Sequence, residues 1–159
     1  MKRLTLIAIL LTLAGCSSGG NGAGSSSPAA APGHGAISIQ ITPNPIVATK
    51  AGGDQYDFPF EVVVRETGGR AVTINRVSAD VLALGTIRVA SESYDAARIT
   101  QLGYPTTVPA GGELRYRFNP RRSVSDDRLF GGVSAEIRVD ATDDSGAPVT
   151  ARTTVTVTR

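Results

Sequence analysis

Three aspartates near the end of the chain form the densest group of side chains that could bind a metal ion: Asp140, Asp143 and Asp144. Calcium takes about six to eight oxygen ligands in proteins, many of them carboxylates, so this group is a candidate calcium site. With Ser145 and Gly146 the same residues also match a tight turn, in which Asp side chains accept bonds from the backbone. The spacing of an EF-hand is absent, so the sequence favours the turn and leaves calcium as the alternative.

No arrangement of residues predicts a catalytic site. His34 is the only histidine and lies in a Gly/Pro-rich stretch, so no Ser or Thr has a histidine base beside it in sequence. Lys50 lies in a turn-like sequence and is the only lysine besides the one at position 2. The remaining enzymatic alternative is a carboxylate pair, Glu113 with Asp126 or Asp127, and no motif orders it. We therefore predict that the protein is not an enzyme.

Composition limits the kinds of partner. The formal net charge is +2 at pH 7, and Lys2 and Arg3 account for it, so the rest of the chain carries 14 basic and 14 acidic side chains. A neutral chain with interspersed signs lacks the basic surface that nucleic-acid binding requires, so we predict no nucleic-acid partner. With a single cysteine, the chain has no internal disulfide, and its core must hold the fold alone.

The first residues have the features of an export signal. A basic start at Lys2 and Arg3 is followed by the apolar stretch 4–13. Ten helical residues rise about 15 Å, half the hydrocarbon core of a bilayer. The stretch therefore predicts a cleaved signal peptide and not a membrane span. It ends in Leu13-Ala14-Gly15-Cys16.

Leu13-Ala14-Gly15-Cys16 resembles the lipobox of bacterial lipoproteins, in which leucine and two small residues precede a cysteine. The resemblance implies a diacylglyceryl group on the Cys16 thiol, cleavage before Cys16 and acylation of the new amine. Two or three acyl chains hold a protein stably at a bilayer, whereas one holds it marginally. The alternative is an ordinary secretory signal with a chance cysteine. The residue after the cysteine is Ser17 and not Asp, which favours the outer membrane if the host is Gram-negative.

A linker follows the cysteine. Residues 17–35 are Gly, Ser, Ala and Pro with one Asn and one His, and they include no large apolar side chain. Such a segment cannot offset the entropy of ordering, so we expect it to be disordered, with His34 as a solvated residue. The sequence therefore divides into a signal peptide (1–15), the lipidated Cys16 with its linker (16–35) and a folded domain (36–159).

From residue 36 onward the hydrophobic pattern predicts β-strands. Apolar and polar residues alternate in five runs, and period two with one polar face indicates strands that are packed on one side and exposed on the other. The runs are 37–42, 58–65, 113–118, 133–140 and 149–158.

Two glycine-containing turns predict hairpins between these strands. Gly68-Gly69 would join strand 62–67 to strand 71–77, and 143–146 would join the last two strands. The stretch 81–107 is less regular. Within it, 85–89 and 97–99 predict short strands, and no useful window has a helical period.

Seven to nine short strands predict an all-β sandwich or barrel. The closing pattern is an alternating strand, the turn sequence 140–146 and a Thr/Val strand. It resembles the immunoglobulin-like modules of bacterial surface proteins. The resemblance implies an immunoglobulin-like Greek-key β-sandwich, without the Cys…Trp…Cys core of antibody domains, and it extends to architecture alone.

These features predict a lipid-anchored, non-catalytic protein of the cell envelope. Its membrane contact is the lipid on Cys16, and no other cofactor is expected. We expect the sandwich to serve protein–protein interaction or envelope assembly, with another envelope protein as partner. The alternative is a module that binds calcium or a small ligand at the loop ends of the sandwich.

Overall fold

The computed structural model describes residues 33–159, apart from the side chains of Asp127 and Leu129. The predicted signal peptide, Cys16 and the linker up to residue 32 lie outside the described residues. Within residues 33–159, no helix is long and apolar enough to cross a membrane.

The described chain forms twelve strands, one α-helix and one 3-10 helix, Asp127–Phe130. Seven strands have six residues or more, and the other five have four or fewer. In chain order the elements are β1 (Ile37–Thr42), β2 (Ile46–Val47), β3 (Thr49–Gly52), β4 (Gln55–Asp57), β5 (Phe60–Glu66), β6 (Val72–Ala83), β7 (Ile87–Asp95), α1 (Ala96–Gln101), β8 (Thr107–Val108), β9 (Glu113–Phe118), β10 (Arg121–Ser123), β11 (Val133–Asp143) and β12 (Pro148–Thr158).

Two main sheets form a sandwich. One sheet has the order β1-β5-β9, and the other has the order β2-β12-β11-β6-β7, with β8 also paired to β6. A small sheet, β10-β4-β3, accompanies them. The seven long strands pair antiparallel, and from β5 onward the chain crosses between the sheets three times: after β5, before β9 and again between β9 and β11. This is an immunoglobulin-like Greek-key β-sandwich, so the predicted fold is confirmed.

The core lies between the two main sheets and is built from alternate residues of the long strands. Val62 of β5 and Ile137 of β11 are fully buried. Aromatic rings add to it, since Tyr94 stacks on Phe118 with a centroid distance of 4.3 Å. Close packing of this kind lets the domain fold without a disulfide.

The second predicted hairpin is confirmed. Strands β11 and β12 pair antiparallel from Val133↔Val157 to Thr142↔Pro148. Gly146 has φ +87°, the left-handed conformation that favours glycine in a tight turn.

Two local predictions are wrong. Strand β5 pairs with β1 and β9, whereas β6 pairs with β11, β7 and β8, so Gly68-Gly69 connects two sheets and not the strands of a hairpin. The alternating pattern identifies the buried face of a strand but not its neighbour. The expected strand 97–99 lies in α1, where the Asp95 side chain accepts a hydrogen bond from the Arg98 N–H at 2.8 Å and caps the helix.

Candidate functional site

Strand β6 extends along the sandwich and defines two ends. Asp143 lies opposite the first residue of β6 and accepts a hydrogen bond from the Gly35 N–H at 2.9 Å. Leu84 and Ile87 lie at the other end, where β6 turns into β7. We call the first the entry end and the second the hairpin end. The twelve residues of β6 place them about 35 Å apart at the usual rise of a strand.

A buried carboxylate organises the entry end. Glu66 is 2% exposed, and its two oxygens accept four backbone hydrogen bonds. The donors are Gly68 at 2.6 Å, Gly111 at 2.8 Å, Gly69 at 3.0 Å and Ala36 at 3.3 Å. Burial raises the pKa of Glu66, but the four donors outweigh it and hold the pKa below its usual value. Glu66 thereby ties three separate chain segments together.

Asp143 has a similar role beside it. Its Oδ2 accepts from Gly35, and its Oδ1 accepts from the backbone N–H groups of Ser145 and Ala147, each at 2.9 Å. The Gly35 bond and the Ser145 hydroxyl, at 2.5 Å, hold the pKa of Asp143 well below its usual range. His34, expected as a solvated linker residue, is about half exposed, and its Nδ1 lies 3.8 Å from the Asp143 carboxylate.

The structure does not bring the three candidate calcium ligands together. Asp140 and Asp143 lie three positions apart on β11 and so face opposite sides of the sheet. Asp140 accepts a hydrogen bond from the Thr150 hydroxyl at 2.9 Å, and Asp144 pairs with Arg70 at 2.5 Å. In the described part of the chain, no three His, Cys, Asp or Glu side chains are arranged to hold a metal ion.

The carboxylate pair of the enzymatic alternative is engaged elsewhere. Glu113 lies in a surface ladder of ion pairs, 2.7 Å from Arg65 and 2.6 Å from Arg115. Asp126 accepts a hydrogen bond from the Arg128 N–H at 2.9 Å and caps the 3-10 helix. The side chain of Asp127 lies outside the described residues.

An apolar cavity of about 380 Å³ lies beside β7. Ala79, Ala90 and Ala135, on β6, β7 and β11, line it where larger side chains would fill the space. Phe58 and Phe130 also line it, with ring centroids 6.3 Å apart. The cavity therefore lies between the hairpin half of the larger sheet and the aromatic side chains packed over it.

Polar side chains also line the cavity. The Glu92 carboxylate pairs with the Arg122 guanidinium and so joins β7 to β10. Glu92 and Arg122 are the charged residues of the lining, and both retain partial exposure to solvent. Three serines complete the polar part: Ser91, Ser123 and Ser125.

The hairpin end exposes apolar side chains that the sequence pattern did not single out. Leu84 is 77% exposed, Ile87 56% and Val89 58%. A β-bulge near Val81 and Leu82 interrupts the pairing of β6 with β7, which is why the alternation here reads as irregular.

Comparisons with known proteins identify the fold. No family model and no curated protein matches the chain. The structure of Northeast Structural Genomics Consortium target SoR45 is similar, with a TM-score of 0.57, 11% identity and coverage of 77% of this chain and 86% of that chain. A protein from Bordetella pertussis, provisionally assigned as ApaA, has a TM-score of 0.55 and 14% identity, covering 79% of this chain and 97% of that chain. At these identities the likeness shows a shared fold alone.

Proposed function

We propose that this chain is a lipid-anchored, non-catalytic protein of the cell envelope whose β-sandwich binds another envelope protein through its hairpin end. The observation that supports this is the placement of the two ends. The chain enters the domain at the hydrogen-bonded entry end, and the apolar side chains Leu84, Ile87 and Val89 are exposed at the other.

The lipid anchor would determine which end of the domain is tethered to the membrane. Lipid on Cys16 would hold the linker, and through Gly35 the entry end, toward the bilayer. Because the linker is expected to be flexible, the hairpin end would then be able to reach up to about 35 Å farther from the membrane than the entry end. A partner in the envelope could reach it without displacing the tether.

The exposed apolar group has the character of a docking surface. Large apolar side chains that cluster on a surface mark interaction sites, because their burial against a partner removes them from water. A polar pair borders them, since Arg88 and Asp80 lie 3.0 Å apart. An apolar centre with a polar rim is the usual composition of a protein interface.

Lipid attachment is tested in a bacterial host by metabolic labelling with radioactive palmitate and by membrane fractionation. We expect label in the wild-type protein and sedimentation with membranes. A Cys16→Ala variant should lose the label and leave the membrane fraction. Equal label in both proteins, or none in either, would contradict the anchor.

Partner binding is tested by affinity capture from solubilised envelopes. We expect a discrete protein to copurify with the wild type and with Ser145→Ala, a control at the entry end. It should be lost from the double variant Leu84→Asn, Ile87→Thr. Asn is chosen at position 84 because the residue there has φ +52°, which Asn tolerates. Capture that is unchanged in the double variant would contradict docking through the hairpin end.

The apolar cavity beside β7 favours a second function, the binding of a small ligand at a loop end of the sandwich. The other part of that alternative, calcium at the 140–144 turn, gains no such support because the carboxylates are separately engaged.

A further inference from the structure

We infer that the cavity beside β7 binds an uncharged, predominantly apolar small molecule that carries a neutral polar group. The inference rests on the second proposed function and names its ligand class. It does not depend on the lipid anchor or on a protein partner.

The size of the cavity fits such a ligand. Its volume of about 380 Å³ falls within the range of about 300–1,000 Å³ that is typical of small-molecule sites. The space exists because alanine occupies positions 79, 90 and 135 on three adjacent strands. The walls are mainly apolar, so an apolar ligand gains by removing both its own surface and theirs from water.

The charge of the lining decides the charge of the ligand. Glu92 and Arg122 pair with each other, so together they present no net charge to the cavity. An anionic ligand would compete with Glu92 for the guanidinium, and a cationic ligand would compete with Arg122 for the carboxylate. Either would leave one member of this partly exposed pair without its partner, which lowers the affinity for a charged ligand. The lining therefore disfavours charged ligands of both signs.

The serines define the polar part of the ligand. Ser91 and Ser125 each carry a hydroxyl that can both donate and accept a hydrogen bond, whereas the Ser123 hydroxyl already donates to the Asp54 carboxylate and can only accept. A hydroxyl or carbonyl group on the ligand would match these groups without any ionic contact. A fatty alcohol is thus a suitable probe of the inferred chemistry.

The test uses the full-length mature chain carrying Cys16→Ala, which avoids the detergent that a lipidated form requires. The probe is N-phenyl-1-naphthylamine, an uncharged dye whose fluorescence rises in apolar sites, and the competitors are decanol, decanoate and decylammonium. We expect saturable dye binding and displacement by decanol. Decanoate and decylammonium should displace it at least about tenfold more weakly.

Matched variants distinguish the cavity from the exposed apolar surface. Ala135→Leu fills the cavity and should weaken dye and decanol binding at least about tenfold. Ala90→Leu fills it from the edge strand and replaces Ala135→Leu if that variant does not fold. Leu84→Asn removes the most exposed apolar side chain outside the cavity and should bind as the unsubstituted protein does.

The inference would be overturned by the absence of saturable dye or decanol binding, by equal binding in the filled variants, or by charged competitors as strong as decanol. Loss of dye binding in Leu84→Asn alone would likewise assign the dye to the surface. None of these results bears on envelope capture, so failure of this inference is distinguishable from failure of the proposed partner binding.

Discussion

The entry end and the hairpin end of this sandwich differ in the burial and bonding of their side chains. At the entry end, Glu66 and Asp143 are buried and their oxygens accept backbone N–H groups from several segments. At the hairpin end, apolar side chains of β7 are exposed and a cavity remains beside them. The same β6 and β11 strands form both ends, so the difference lies in the side chains and not in the architecture.

This difference suggests a division of tasks within one sandwich. A buried carboxylate is tolerated only where donors surround it, so the entry end is committed to one conformation. Exposed apolar side chains and unfilled space contribute little to stability, and they suit contacts with other molecules. We therefore propose that the entry end holds the chain and that the hairpin end binds a partner.

Removing the Glu66 charge should have the largest effect. Glu66→Gln places an amide NH₂ where an oxygen now accepts two backbone N–H groups, so buried donors lose their partner. We expect the free energy of unfolding to fall by about 3 kcal/mol. Urea denaturation followed by circular dichroism measures it. Glu61→Gln, on the solvent-facing side of the same strand, is the control and should change stability less. Equal losses would contradict the special role of the entry end.

Replacement of alanine by leucine should have opposite effects on stability at two positions of β11. Ala141 and Ala135 face the core and are 3% and 4% exposed, but only Ala135 lines the cavity. Ala141→Leu should lower the free energy of unfolding by about 2 kcal/mol through overpacking. Ala135→Leu should raise it by about 1 kcal/mol, because the added carbons fill empty space. Chemical denaturation of both variants checks this prediction. Destabilisation of similar size at both positions would contradict the expected difference in packing.

Acid should weaken the entry end selectively. The pKa values of Glu66 and Asp143 lie below their usual 4.5 and 3.8, so the folded state binds fewer protons than the unfolded state. The stability that they confer is present above those usual values and is lost as pH falls below them. We expect the urea midpoint to drop between about pH 7 and pH 3 at high salt, which screens the exposed pairs. The drop should be smaller in Glu66→Gln, and an unchanged drop would show that other groups govern acid sensitivity.

Calcium should have the smallest effect. Since Asp140 lies on the opposite face of β11 from Asp143, and Asp144 already pairs with Arg70, we expect no change in Tm between millimolar calcium and a chelator. A calcium-dependent rise in Tm that Asp143→Asn abolishes would reinstate the metal site.

Much of the fold is predictable from the sequence because alternation marks the buried face of each long strand. The sheet to which each strand belongs is not predictable in this way. Gly68-Gly69, for example, fits either a hairpin or a crossover until the partners of β5 are known. Helix α1 is missed because its six residues bury only Ile99, too few to show a helical period. The buried Glu66 does carry a signal. It continues the inward series of Phe60, Val62 and Val64 along β5.

The candidate sites also differ in whether the sequence predicts them. The Asp143 turn depends on neighbours in sequence, so its turn chemistry is predictable. The cavity depends on Ala79, Ala90 and Ala135, which only the pairing of β6 with β7 and β11 brings together. No local pattern distinguishes an alanine that lines a cavity from one that packs tightly, as the pair at 135 and 141 illustrates.

The central claim is that the domain is held at one end and binds through the other, and site-specific photo-crosslinking in intact cells tests it most directly. A photoreactive residue is introduced at Ile87 of the hairpin end, or at Ser145 of the entry end, in the anchored protein. We predict a discrete crosslinked species from position 87 and none of that size from position 145. A species from position 145, with none from position 87, would contradict the account.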